Sequence, residues 1–134
     1  MVCIYCGGST RVINSRSQLR NNQVWRRRFC PICQAIFTTF EQADLAHNWV
    51  VKYPSGKSSG FMKEKLFLSI YESLRHRPSA ILDATNLTKT VIQRINQSAK
   101  HGVIDASLIS KITLVCLNRF DKVASTHYQA FHDL

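Results

Sequence analysis

Acidic residues are scarce in this chain, and the first forty positions contain none. The whole sequence holds 8 Asp and Glu against 18 Lys and Arg, a formal charge of +10 over 134 residues. The absence of carboxylates from residues 1–40 excludes paired-carboxylate acid–base chemistry there. It also leaves the six arginines of that segment (Arg11, Arg16, Arg20, Arg26, Arg27 and Arg28) without an acidic neighbour before Glu41. Long apolar runs are missing too: none approaches the roughly twenty residues that span a bilayer. The start, Met1-Val2-Cys3-Ile4-Tyr5-Cys6, lacks the charged region and apolar run of a secretory signal, so a soluble, cytoplasmic protein with no membrane partner is expected. Low hydrophobicity is not among the deficits. At 45% hydrophobic residues the chain can bury a core, and the length suits a small metal-stapled module plus one compact domain.

Five cysteines are present, and four fall in two C-x-x-C pairs: Cys3 and Cys6, Cys30 and Cys33. Without a secretory signal, such pairs favour a metal over disulfides. A two-residue spacing makes a tight knuckle that aims both sulfurs at one ion, and two knuckles supply the closed four-thiolate set that zinc prefers in structural sites. Gly7 and Gly8 give the first knuckle its turn, and Pro31 sits inside the second, where its fixed φ helps. Four thiolates leave no open position for water and no Glu or His is placed as a base, so the expected role is structural and the chain is not expected to be an enzyme. The fifth cysteine, Cys116, lies in a helical pattern and reads as a buried apolar residue.

Between the knuckles, Arg11–Ile13 and Val24–Phe29 read as strands, Ser17–Gln23 as a turn, and Phe37–Phe40 as a third strand. Four thiolates around one divalent ion add a net −2, which still leaves this ribbon at about +4. Such a surface suits a polyanion, double-stranded DNA above all. Strand alternation puts Arg26 and Arg28 on one side and Arg27 on the other; in a ribbon too small to bury them, all three reach phosphates. Arg16 and Arg20 lie near the turn, the part suited to enter a groove, and Arg11 belongs to the same basic set. Trp25 reads more readily as cover for the small core than as a base-stacking residue.

After Glu41 the character changes. Residues 42–48 are polar and aperiodic and read as a linker between residues 1–41 and 49–134. Residues 49–53 read as a strand and 54–60 as a turn; Pro54-Ser55-Gly56-Lys57-Ser58 lacks the frame of a phosphate-binding P-loop. Helices are expected over Lys63–Arg77, Thr85–Lys100 with Gly102 as its stop signal, Ala106–Arg119, and a short Asp121–Phe131. The fold class is therefore α+β: a small β zinc ribbon followed by a mainly helical domain with a short β-hairpin.

The motifs, taken in order, resemble the bacterial NrdR family of transcriptional repressors of ribonucleotide reductase genes. The matching pieces are Cys3-Ile4-Tyr5-Cys6-Gly7, Arg11-Val12-Ile13-Asn14-Ser15-Arg16, the run Arg26 to Cys33, Phe37-Thr38-Thr39-Phe40-Glu41, Val50-Val51-Lys52, Glu64-Lys65-Leu66, Arg77-Pro78 and Asp121-Lys122-Val123-Ala124. The resemblance implies one structural zinc ion, a DNA-binding ribbon, and an ATP-cone in residues 49–134 that takes ATP or dATP as effector and controls a homo-oligomeric state at a DNA operator, on the nucleoid. Carried over by position, Val51, Lys52, Lys65 and Arg77 match nucleotide-binding positions. The sequence departs from the family where Tyr53-Pro54-Ser55-Gly56 replaces the usual Arg and Asp/Asn-Gly turn, and where His127-Tyr128 replaces Arg-Phe. These departures define the alternative: a ribbon that binds DNA beside a degenerate cone that only oligomerises.

Overall fold

A computed structural model describes residues 1–132, so the last two positions of the 49–134 segment lie outside the described residues. The chain divides into two compact units, one ending at Ala43 and the other beginning at Asp44.

The first unit is an antiparallel meander of β1 (Arg11–Gln18), β2 (Gln23–Phe29) and β3 (Ile36–Gln42), in the order β1-β2-β3. β1 runs five residues beyond Ile13, and the turn shrinks to Leu19–Asn22, closed by Asn22 in a left-handed conformation at φ 47°. Asn14, Ser15 and Ser17 give this stretch a loop-like composition, and backbone pairing with β2 overrides it. Every residue of β1 before Gln18 is exposed, so no apolar alternation marks its second half. The two knuckles are closed by backbone bonds: Cys3 N–H donates to Gly8 O at 2.7 Å, and Cys30 N–H to Ala35 O at 2.9 Å. The buried core of this unit is only Cys3, Cys30 and Phe37, with Ala35 packed against it.

The second unit opens with a single helical turn, α1 (Leu45–Asn48), in the stretch that sequence reads as linker. Asp44 caps it by accepting the His47 N–H at 3.2 Å. Then come β4 (Val50–Lys52) and β5 (Ser58–Gly60), paired as a hairpin. The loop between them turns through Pro54-Ser55-Gly56 and is closed by Gly56 N–H to Tyr53 O at 3.0 Å, with Gly56 at φ 83°. The helices α2 (Lys63–Leu74) and α3 (Ala80–Ser98) follow, then β6 (Val103–Asp105), α4 (Ala106–Phe120) and α5 (Lys122–His132).

The hairpin is therefore part of a mixed sheet. β6 pairs in parallel with β4, Val51 opposite Ile104, giving the order β5-β4-β6. Three residues with one buried side chain carry no sequence signal of their own. Gly102 does not cap α3, whose C-cap is Ala99; it sits with His101 in a turn with both φ positive (56° and 74°), closed by Val103 N–H to Lys100 O at 3.2 Å, which delivers the chain to β6. A Cβ at Gly102 would come within 2.5 Å of Asn48 O, so the glycine also permits a backbone-to-backbone approach.

Helix α3 starts at Ala80, five residues before the expected Thr85. Its first turns bury the small Ala80 and Ala84 and leave Ile81 and Leu82 exposed. In α4 the inward positions are Thr113, Cys116 and Leu117, while Val115 points out. A polar residue can lie inward there because Thr113 Oγ1 donates to Ile109 O at 2.8 Å. Cys116 is buried as expected, and desolvation pushes its thiol pKa up. Around Ile70, Leu74, Val91, Ile95, Ile104 and Tyr128 the second unit has a substantial core of its own. Among the described residues no helix is long and apolar enough to cross a membrane.

Candidate metal centre and nucleic-acid interface

The knuckles bring Cys3, Cys6, Cys30 and Cys33 together with all four Sγ atoms within 4.8 Å of one another. Cys3 Sγ lies 3.6 Å from Cys33 Sγ, and Cys6 Sγ lies 3.5 Å from Cys30 Sγ. These separations are far beyond the roughly 2.05 Å of a disulfide. They match the ~3.8 Å edge of a tetrahedron whose centre is ~2.3 Å from each sulfur, the zinc–thiolate distance. The electrostatics agree with the geometry. Backbone N–H groups, Cys6 first and then Tyr5, hold the Cys3 thiol below its ordinary pKa, and the Cys33 N–H chiefly brings Cys30 to about 7. Cys33 receives the Ala35 N–H, yet desolvation and the neighbouring sulfurs push it up to about 12. Four sulfurs this close cannot all ionise unaided; a divalent cation among them removes the conflict. The donor set fits one structural zinc ion, which would fix both knuckles and, with four sulfurs around it, leave no position for a reacting water.

The ribbon's arginines occupy different environments. Arg26 Nη2 binds Glu41 Oε2 at 2.9 Å. Arg28 Nε donates to Thr39 Oγ1 at 3.3 Å and its Nη1 to Thr10 Oγ1 at 3.4 Å. These two are half-buried, where so small a ribbon is expected to bury none of its arginines: Glu41 and Thr39, each two positions along β3 from the direct partner, reach them diagonally. The Arg11 guanidinium lies 5.3 Å from the Phe29 ring centroid, and that of Arg16 lies 5.9 Å from Trp25. Trp25 thus lies beneath an arginine and outside the small core. Arg27 is exposed in mid-strand, and Arg20 lies on the Leu19–Asn21 turn at the ribbon's end.

A family model described as the N-terminal domain of NrdR-like transcriptional repressors matches residues 1–41. A transcriptional repressor NrdR of Rhodospirillum centenum is 38% identical over 135 residues, covering 98% of this chain and 85% of that protein. One of Acidithiobacillus ferrooxidans is 34% identical over 139 residues, covering 100% and 84%. One of Rhodospirillum rubrum is 33% identical over 135 residues, covering 98% and 86%. The chain belongs to the NrdR family. The role these relatives are named for, transcriptional repression, is not enzymatic.

As an NrdR-type chain it carries the four positions matched to nucleotide binding, but the fold treats them unequally. Lys52 ends β4 and is exposed; Tyr53 follows it, and Lys65 Nζ, from the first turn of α2, lies 5.6 Å from the Tyr53 ring centroid. Tyr53 Oη also lies 3.2 Å from Ser59 Oγ, and this bond, helped by Lys65, lowers the phenol's pKa. Val51 is in the central strand, its side chain in the core and its backbone between β5 and β6.

Arg77 is engaged within the chain. Its Nε donates to Asp83 Oδ2 at 2.9 Å and its Nη1 to Asp121 Oδ2 at 3.1 Å, and its guanidinium carbon lies 4.6 Å from the Phe120 ring centroid. Asp121 is the node of this network. Its backbone N–H donates to Leu117 O at 2.7 Å, closing α4, and its Oδ1 accepts the Ala124 N–H at 3.1 Å, opening α5. Its Oδ2 also meets His76 Nε2 at 3.0 Å. The Ala124 amide, then His76 and Arg77, hold the Asp121 carboxyl well below the usual range. The sequence signal for this node is the Asp121-Lys122-Val123-Ala124 motif, whose capping geometry is legible; its partners 44 and 45 residues upstream are not.

Proposed function

We propose that residues 1–41 form a zinc-dependent DNA-binding domain, joined through 42–48 to an ATP-cone in 49–134, and that the protein represses transcription, ribonucleotide reductase genes being the expected targets. The observation that carries this reading is the four-sulfur cluster at the root of a three-stranded sheet that bears Arg11, Arg16, Arg26, Arg27 and Arg28, with Arg20 on the turn between β1 and β2. Zinc performs no reaction in this scheme; it would hold the strands in register so that their cations meet the phosphates of double-stranded DNA. Lys52 and Lys65, flanking Tyr53, are the proposed contacts to the phosphates of ATP or dATP, lysine serving as a mobile point charge. Arg77 would shape that domain from its ion-pair network rather than hold nucleotide. Regulation requires the two nucleotides to stabilise different homo-oligomers, since equal affinity for both assemblies shifts nothing.

DNA affinity and native mass spectra, each measured with zinc, ATP and dATP in turn, test the reading. One zinc per chain, steep salt dependence, and nucleotide-dependent assembly are expected. Identical assemblies and binding curves with the two nucleotides would sink the sensing part. A second reading is favoured by the burial of Val51 and the engagement of Arg77, which leave two of the four matched positions for a ligand. In that reading the second unit is an oligomerisation domain only. Nucleotide binding seen by calorimetry rules it out.

A further inference from the structure

Directly paired residues of a β-ladder point to the same face, so the register of the ribbon sorts its arginines. Arg28 pairs with Phe37, the residue that enters the metal-centred core, and Arg26 pairs with Thr39. Their face is the one where the N-terminal segment lies, tied by Arg28 to Thr10 and by Thr10 Oγ1 to Met1 O at 2.6 Å. The cleft at its β3 edge contains Glu41, already bound to Arg26, and is lined in part by Phe40. A phosphate entering there would displace an ion pair and meet a carboxylate.

The other face has a different character. Arg11 pairs with Phe29, Arg16 with Trp25, and Trp25 in turn with Phe40; Arg27 shares this face. It carries three arginines and no acidic residue. Phe40 is 55% exposed and Arg27 is exposed, so nothing in the first unit covers it. The rings of Phe29 and Trp25 keep two of the guanidinium groups close to the sheet, which limits the freedom they lose on binding.

We propose that double-stranded DNA docks on this second face, with Arg11, Arg16 and Arg27 as its cationic contacts and Phe40 as an apolar one, while Arg26 and Arg28 brace the ribbon. Charge complementarity selects the occupant: three cations with no anion suit phosphates. An exposed ring on β3, beside these cations, suits a thymine methyl. The assignment rests on the DNA-binding reading above and divides five of its six arginines by role.

The test is fluorescence anisotropy of a labelled duplex of mixed sequence with the full-length, zinc-loaded protein at a series of salt concentrations. Arg11→Gln, Arg16→Gln and Arg27→Gln should each flatten the slope of log affinity against log salt by about 1, the signature of one lost phosphate contact. Arg26→Gln and Arg28→Gln should leave the slope unchanged. Phe40→Ala should weaken binding at an unchanged slope. Glu41→Gln serves as a second probe that does not remove a cation: it frees Arg26, and would steepen the slope if the first face met DNA, whereas no change is expected. Zinc stoichiometry from native mass spectra confirms that each variant keeps its ribbon. Flattening by Arg26→Gln or Arg28→Gln equal to that of Arg27→Gln would overturn the choice of face. A wild-type protein with no salt-dependent affinity for any duplex would instead remove the DNA reading itself, and this assignment with it.

Discussion

Removing the metal should unfold the first unit and leave the second folded. Among the described residues, Phe37 is the one large buried side chain of the ribbon that is not a candidate ligand. Burying it fully contributes about 3 kcal/mol at most, whereas a structural zinc site of this kind supplies about 10–16 kcal/mol of folding free energy. The metal term exceeds the apolar term severalfold, so no rearrangement of the small core replaces it. The second unit draws on Ile70, Leu74, Val91, Ile95, Ile104 and Tyr128 and has no such dependence. The assay is hydrogen exchange by mass spectrometry before and after treatment with a strong chelator, with zinc content followed in parallel. Amides of β1, β2 and β3 should lose protection as zinc leaves, while those of α3 and α4 keep theirs. Cys6→Ser should give much the same pattern without chelator. Protected ribbon amides in protein shown to contain no metal would refute the reasoning.

Asp121→Ala should cost about 1–2 kcal/mol in urea unfolding, chiefly through the lost cap of α5, a typical capping loss. The same carboxylate gives a pH dependence: Asp121 and Asp83 are both held below their ordinary values, so their stabilisation is complete above the unfolded pKa of about 4 and is lost as pH falls below it. Urea midpoints across pH 2–6 should therefore fall less steeply for Asp121→Ala than for wild type. Gly102→Ala should destabilise the second unit by about 2 kcal/mol or more in thermal melts, because it places a Cβ at positive φ and within 2.5 Å of Asn48 O. Lys52→Ala and Lys65→Ala should each weaken ATP binding measured by calorimetry without shifting the melting temperature, both side chains being exposed.

Features that depend on near neighbours along the chain are legible in the sequence alone. A two-residue cysteine spacing dictates a knuckle, the three-and-four spacing of Leu66, Phe67, Ile70, Tyr71 and Leu74 dictates a helix face, and Asp121 three positions before Ala124 dictates a cap. The four-sulfur site follows from two knuckles and the preference of zinc for a closed thiolate shell. Where apolar residues are large, as in α2, the helix is found close to where its pattern places it. Where the helix wall is built of Ala80 and Ala84, or its inward residue is Thr113, side-chain size and polarity mislead, because packing and an i−4 hydrogen bond decide burial.

Only the tertiary structure decided what depends on partners far along the chain. The parallel pairing of β6 with β4 joins residues distant in sequence, Val50 to Val103, and three short strand residues cannot announce it. Arg77 reads only as a position matched to nucleotide binding until the fold carries Asp83 and Asp121 to it. For the six ribbon arginines, the order of residues sets the charge and the strand. The ladder register, by setting Glu41 beside Arg26 and Trp25 beneath Arg16, decides which of them already have partners. The physical reason is the same in each case. Local backbone geometry is encoded by spacing, whereas the neutralisation of a charge depends on what tertiary folding places within a few ångströms of it.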